Sequence, residues 1–107
     1  MSHPHTHRLC ALEELEDGGV RRFDVDHREL AVVRLGSDVY VIGDRCSHQD
    51  ISLAQGEVDP DDMVIECPKH GSGFHLETGE PSCLPATRPV PVYEVVVDDG
   101  EVSVVLS

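Results

Sequence analysis

Two short motifs of cysteine and histidine constrain this chain more than any other feature of its sequence. The first is Cys46-Ser47-His48 and the second is Cys67-Pro68-Lys69-His70, with eighteen residues between them. Thiolate and imidazole ligands favour iron or zinc, because magnesium and calcium prefer oxygen ligands. If each motif supplies one Cys and one His, the thiolates could bind one metal ion and the imidazoles another. A single tetrahedral zinc ion accepts the same four ligands, so both arrangements are open at this point.

Turn residues surround both motifs. Gly43-Asp44-Arg45 precedes Cys46, while Gly71 and Gly73 follow His70. A tight turn directs several backbone N–H groups inward, where they stabilise the negative charge of thiolate and sulfide. The alternative is that the two cysteines are small buried residues and the histidines are incidental. Four residues of the right type at two paired spacings argue against that alternative.

The rest of the chain reads as short antiparallel strands separated by turns. Apolar and β-branched residues predict strands at residues 20–26, 29–35, 39–42, 63–65, 92–97 and 101–106. Asp98-Asp99-Gly100 predicts a tight hairpin between the last two of these strands. Only residues 11–16 have a helical pattern. With 107 residues and no internal repeat, we expect a single all-β domain over residues 1–107, with a disordered tail at residues 1–7.

Composition limits the partners and the compartment. The formal net charge is -13, which disfavours binding to nucleic acid, itself a polyanion. The acidity could steer a basic redox partner, or it could simply keep the protein dispersed. No apolar run approaches the roughly 20 residues needed to span a bilayer, and residues 1–8 lack the apolar stretch of a signal peptide. We therefore expect a cytoplasmic monomer without a membrane partner, in which Cys10 and Cys83 are reduced thiols.

The motifs resemble those of the Rieske family. C-S-H, C-P-K-H-G-S-G-F and the following Thr78-Gly79 are similar to the Rieske pattern C-x-H, C-P-x-H-G-x-x-F and T-G. By length, the most similar members are stand-alone Rieske ferredoxins, including ferredoxin subunits of aromatic-ring dioxygenases. Residues 84–90 also resemble homologues encoded beside iron-sulfur assembly genes in actinobacteria.

The resemblance implies a fold, a cofactor and a ligand set. The fold would consist of stacked antiparallel sheets with a cluster-binding subdomain at about residues 44–86, whose tip is covered by a proline loop at Leu84-Pro85-Ala86. The cofactor would be one [2Fe-2S] cluster bound by Cys46, His48, Cys67 and His70, with two His replacing two Cys on one iron.

Departures from the pattern indicate the kind of Rieske protein. Subunits of quinol-oxidising complexes have one more Cys in each ligand loop, joined as a disulfide, and Ile51 and Lys69 stand at those places here. Phe74 replaces the tyrosine that hydrogen-bonds a cluster ligand in those proteins, although Ser72 matches their serine donor. The resemblance therefore implies a potential at the lower side of the Rieske range of about -150 to +300 mV.

The remaining histidines give no second metal site. His3, His5 and His7 belong to the expected tail, and His27 and His75 are expected at the surface. An iron oxygenase would need a further triad of two His and one carboxylate, for which the chain has no length left. We therefore expect a carrier and not an enzyme.

The resemblance favours a carrier that passes single electrons from a flavoprotein reductase to an acceptor protein such as a non-haem iron dioxygenase. A redox sensor or a protein of iron-sulfur metabolism is an alternative, and a structural zinc domain is a third class.

Overall fold

The computed structural model describes residues 5–45, 52–66, 73–81 and 89–106, and the side chains of these residues except that of His5. Within these ranges the chain forms β-strands and two 3-10 helices, at Leu12–Glu14 and Leu53–Gln55. The strands are β1 (His5–Ala11), β2 (Val20–Val25), β3 (Arg28–Leu35), β4 (Asp38–Gly43), β5 (Glu57–Asp59), β6 (Val64–Glu66), β7 (Gly73–His75), β8 (Val92–Asp98) and β9 (Glu101–Leu106).

These strands form two antiparallel sheets. The larger sheet has six strands in the order β1-β9-β8-β4-β3-β2, and the smaller has three in the order β5-β6-β7. The predicted all-β class with stacked antiparallel sheets is confirmed. Among the described residues, no helix has the length and apolar character needed to cross a bilayer.

Two hairpins of the larger sheet have the same backbone conformation. Asp26 and His27, between β2 and β3, have φ values of 50° and 66°. Asp99 and Gly100, between β8 and β9, have φ values of 51° and 76°. Two successive positive φ values characterise the type I′ turn, whose twist matches that of the paired strands. The hairpin predicted from the Asp-Gly sequence is therefore confirmed.

Strand β3 is buried on both faces because it separates two hydrophobic cores. Ala31 and Val33 point into the core between the two sheets, which the smaller sheet and the second 3-10 helix complete. Leu30 and Val32 point into the opposite core, where they meet side chains of β1 and β9. Alternate residues of a strand face opposite sides. An uninterrupted apolar run in β3 is thus what two cores require.

The expectation of a tail at residues 1–7 is wrong for residues 5–7. These residues lie in β1, where His5 pairs with Leu106 and His7 with Val104. Backbone hydrogen bonds to β9 order this part of the chain whatever its side chains are, so its polar composition was misleading. Residues 1–4 lie outside the described residues.

The helical prediction for residues 11–16 is also too long. Ala11 belongs to β1, and the 3-10 helix covers only Leu12–Glu14. Strands β5 and β7 were not predicted, because each has only three residues and neither contains the β-branched pair that identified β6.

Candidate metal centre

The four predicted ligands lie in two segments whose ends the structure describes. We call residues 46–51, which contain Cys46 and His48, the first ligand segment. Residues 67–72, which contain Cys67 and His70, are the second ligand segment. Residues 82–88 are the proline segment. The ligands themselves lie outside the described residues, so the arrangement of the flanking residues is the structural test of whether the two segments can meet.

The smaller sheet brings the ends of both ligand segments to one edge. Glu57, at the start of β5, pairs with Glu66, the last residue of β6. Glu66 also pairs with Gly73, the first residue of β7. Glu66 directly precedes the second ligand segment and Gly73 directly follows it, so this segment begins and ends on neighbouring strands. The chain that leaves the first ligand segment reaches the same row of residues through the 3-10 helix at Leu53–Gln55.

A glycine permits the closest approach at this edge. A Cβ atom built on Gly56 would lie 1.7 Å from the carbonyl oxygen of Glu66. No side chain fits at that distance, because atoms without a covalent bond cannot approach so closely. The absence of a side chain therefore lets the chain after the first ligand segment lie directly on the residue before Cys67.

The proline segment begins and ends at the same place. Pro81, which precedes it, forms an isolated β-bridge with Phe74 in β7. Beyond it, the N–H of Val90 donates to the carbonyl of Gly79 at 2.8 Å. Gly79 has a φ of +75°, and a Cβ atom there would lie 2.1 Å from the carbonyl oxygen of Val90, so only glycine fits.

The returning chain then reaches the base of the first ligand segment. The N–H of Gly43, the last residue of β4, donates to the carbonyl of Pro91 at 2.8 Å. The ends of all three segments therefore lie together, although the segments are far apart in sequence.

A buried carboxylate closes the first ligand segment. Asp44 is only 1% exposed. Its Oδ2 accepts a hydrogen bond from the Ser52 hydroxyl at 2.5 Å, and its Oδ1 accepts one from the N–H of Ala54 at 2.9 Å. Its backbone carbonyl accepts from the N–H of Leu53 at 2.5 Å. Arg45 and Ser52 also form a β-bridge. The residues before and after the segment are therefore joined directly.

The same carboxylate is tied to the larger sheet. The N–H of Asp44 donates to the carbonyl of Glu29 in β3 at 3.0 Å. Arg22 of β2 places its Nε 3.5 Å from Asp44 Oδ2 and its Nη2 3.2 Å from Glu29 Oε1. Arg45 also pairs with Glu29, at 3.0 Å. Burial of a neutral polar group without hydrogen bonds costs about 2 to 7 kcal/mol, and burial of an unpaired charge costs more. The buried carboxylate of Asp44 therefore needs these partners.

In the sequence, Asp44 is identifiable only as a turn residue. Polar residues before a ligand are typical of turns, and the sequence carries no signal that this one is buried. Its partner Ser52 was missed for the same reason, because the two become neighbours only when the segment between them closes.

The other residues singled out from the sequence lie as follows. His27 is exposed, as predicted, and His75 is half-buried. Phe74 is fully buried in the core between the two sheets. Cys10 is a free, buried thiol on β1, and burial raises its pKa above the usual value, with a smaller contribution from Glu14. Cys83, like Ile51, Lys69 and Ser72, lies outside the described residues.

The residues present fit a [2Fe-2S] cluster with mixed ligands. Two Cys and two His match the donor set of that cofactor, one pair in each segment. The shared edge, at which Gly56 contacts Glu66, brings the ends of both segments close enough for one site.

The chain matches the model of one protein family, the Rieske [2Fe-2S] domain, over residues 5–94. It is 38% identical over 99 residues to the 3-phenylpropionate/cinnamic acid dioxygenase ferredoxin subunit of Photorhabdus laumondii, covering 92% of each chain.

Two solved structures are similar throughout. The ferredoxin of carbazole 1,9a-dioxygenase from Nocardioides aromaticivorans IC177 has a TM-score of 0.90 and 42% identity, covering 96% of this chain and 97% of that one. A ferredoxin solved in complex with the reduced oxygenase of carbazole 1,9a-dioxygenase has a TM-score of 0.85 and 41% identity, covering 92% and 91%.

These matches replace the zinc alternative with an iron-sulfur cofactor. The relatives are named as ferredoxins that serve a separate oxygenase, so they are carriers and not the catalysts. This chain therefore belongs to the Rieske [2Fe-2S] family and is an electron-transfer protein of the ferredoxin type.

Proposed function

We propose that this protein is the ferredoxin component of an aromatic-ring dioxygenase, which takes electrons from a flavoprotein reductase and delivers them to the oxygenase in the cytoplasm. Cys46, His48, Cys67 and His70 bind its [2Fe-2S] cluster. When bound, the cluster accepts and releases one electron at a time.

The observation that carries this proposal is the likeness to a ferredoxin solved together with its oxygenase, at 41% identity over nearly the full length of both chains. The similar proteins serve oxygenases of different substrates, carbazole in one case and phenylpropionate in another. Likeness to ferredoxins therefore supports the class of acceptor and leaves the aromatic substrate open, since the oxygenase and not its ferredoxin binds that substrate.

The described residues supply a rigid frame for this role. The shared edge of the smaller sheet and the Asp44 hydrogen bonds hold the ends of the ligand segments in place. A carrier benefits from such rigidity, because ligands that hardly move between the two redox states need little rearrangement on each transfer. On this proposal, the ferredoxin chain positions the cluster ligands, and the catalytic reactions take place on the reductase and the oxygenase.

The partners would dock at the face formed by the two ligand segments and the proline segment. We propose that His48, Gln49, His70 and Pro85 surround the shortest route to the cluster. A carrier must release each partner quickly, so we expect an interface at the low end of the known range, about 1,200 Å² or less. The net charge of -13 would accelerate encounter with a basic partner surface.

Stopped-flow spectroscopy tests the proposal with purified components. The cluster-loaded protein is mixed with NADH and the flavoprotein reductase of the carbazole or the phenylpropionate dioxygenase system. The reduced protein is then mixed with the matching oxygenase and its substrate. We expect bleaching in the first step and recovery of the oxidised spectrum in the second.

The same experiment separates a carrier from a redox sensor. A sensor would change its binding partner with redox state and would not turn over with either system. If dithionite reduces the protein while both reductases leave it oxidised, and both oxygenases leave the reduced form unchanged, the dioxygenase assignment is wrong.

A further inference from the structure

We propose that Asp44 is a positioning residue for the cluster, whose buried carboxylate fixes the path of the first ligand segment. This inference rests on the proposed ligand set, in which Cys46 and His48 belong to that segment. Among the described residues, Asp44 binds Ser52, Ala54 and Leu53, which follow the segment, and it acts on the segment through them.

Several hydrogen bonds from one stretch of chain converge on Asp44. Asp44 accepts three hydrogen bonds from residues 52–54, two through its side chain and one through its backbone carbonyl, at 2.5 to 2.9 Å. The segment between them therefore starts and ends at the same point. The seven residues between Asp44 and Ser52 then have fewer available paths than a free segment of that length, which lowers the entropy lost when the ligands are fixed.

Both ends of this closed segment are joined to the sheets. The N–H of Asp44 donates to the carbonyl of Glu29 in β3, and Gly43 before it pairs with Leu30. On the other side, Leu53 is fully buried in the core between the sheets. Both ends of the segment are thus anchored in packed structure.

Asp44 is close in sequence to a proposed ligand. Cys46 is two residues beyond Asp44, and two residues span at most about 7 Å. Because this connection is so short, a displacement of Asp44 should also displace the thiolate of Cys46. Residues that orient metal ligands in this indirect way typically change metal affinity by about 10- to 100-fold when they are substituted.

The negative charge of a carboxylate explains why an acidic residue suits position 44. A carboxylate accepts at both oxygens at once, and hydrogen bonds to a charged acceptor are stronger than neutral ones. Asp44 uses one oxygen for Ser52 and the other for Ala54, while Arg22 lies 3.5 Å from Oδ2 and compensates the buried charge.

Two substitutions at Asp44 separate positioning from general stability. Asp44→Ala removes both side-chain bonds. Asp44→Asn retains an acceptor for Ala54, and its amide can donate to the Ser52 hydroxyl, which then accepts. We expect Asp44→Ala to lose its cluster to an iron chelator about tenfold faster than the wild type and to have altered EPR g-values. Asn should restore a rate close to that of the wild type, with a higher midpoint potential because one negative charge has been removed.

Val104→Ala provides the matched control, because Val104 is fully buried in the other core, away from the ligand segments. It should lower the free energy of unfolding but leave the g-values and the chelation rate unchanged. A second pair, Ser52→Ala and Ser103→Ala, remains informative if Asp44→Ala fails to fold. Ser52→Ala should accelerate cluster loss, whereas Ser103→Ala in β9 should not.

The possible outcomes are distinct. If Asp44→Ala, or Ser52→Ala in its place, loses the cluster no faster than its control and keeps the wild-type EPR spectrum, Asp44 is only a stabilising residue and the inference is overturned. A wild-type protein that binds no cluster, or a Cys46→Ser variant that keeps it, would instead refute the proposed ligand set. Faster loss reversed by Asn supports positioning.

Discussion

The carbonyl oxygen of Glu66 occupies the place where a side chain on Gly56 would begin, 1.7 Å from the position of its Cβ atom. This contact joins the chain that leaves the first ligand segment to the residue that enters the second. It couples two parts of the sequence that must meet for one cluster to have ligands from both.

Gly56→Ala should therefore impair cluster binding. Its methyl group forces the two backbones apart, and overpacking of this kind costs about 1 to 3 kcal/mol of stability. We expect lower iron content per chain and a weaker visible spectrum. Gly36→Ala is the control, since Gly36 has a positive φ of 65° but open space around it. It should lose roughly 1 to 2 kcal/mol from backbone strain and keep the full spectrum. Equal iron content in both variants would contradict the prediction.

Substitution of the proposed ligands should have two different effects. Cys46→Ser and Cys67→Ser should lose the cluster, which iron and acid-labile sulfide analysis measures. His48→Cys or His70→Cys, if it assembles, should lower the midpoint potential, because each thiolate adds a negative charge at one iron. A serine variant with the full visible spectrum would show that the ligand set is wrong.

Phe74→Tyr should raise the midpoint potential. In the quinol-oxidising Rieske proteins that this motif resembles, a tyrosine at this position donates a hydrogen bond to a cluster ligand. Phe74 has no hydroxyl with which to do so. Protein-film voltammetry measures the change, with Phe74→Leu as the control that alters packing alone. If the potential stays constant while the free energy of unfolding falls by about 1 to 3 kcal/mol, the new hydroxyl is buried without a partner and the prediction fails.

The thiol of Cys10 should react slowly and contribute a pH-dependent stability. Burial raises its pKa, so the folded protein retains the thiol proton to higher pH than the unfolded chain does. The resulting stability is fully present below the unfolded pKa of about 8.5 and is lost as pH rises through the higher folded pKa. The difference in free energy of unfolding between the wild type and Cys10→Ala should therefore shift against the wild type above about pH 8.5. Urea titrations at several pH values measure it, and a constant difference would contradict the assignment.

Docking at the ligand segments should depend on salt and on Gln49 and Pro85. Reduction by the reductase should slow as ionic strength rises, because salt screens long-range attraction, while the potential changes little. Gln49→Arg or Pro85→Arg should slow reduction without altering the spectrum, since a bulky positive group would disturb contact with a basic partner. Val96→Arg, at an exposed position of β8, is the control. A slower rate for Val96→Arg alone would place docking on the larger sheet.

The sequence predicted what local patterns encode. The strands of the larger sheet after β1 followed from β-branched runs, and the last hairpin followed from Asp99-Gly100. The sequence could not predict contacts that form between distant segments. Asp44 has the composition of an exposed turn residue, and its burial follows only once Ser52 and Glu29 come to it. The ligand residues and the cofactor followed from spacing and from family resemblance, and the four ligands are still a prediction.

The β-ladders of the molecule differ in length, and this should give its parts different local stabilities. Each side of β6 has three backbone pairs and β4 meets β8 through two, whereas β2 and β4 each form six with β3. Short ladders open at lower free energy than long ones, so we expect the amide protons of the smaller sheet to exchange before those of β3. Loss of the cluster would then leave the pairs around β3 in place.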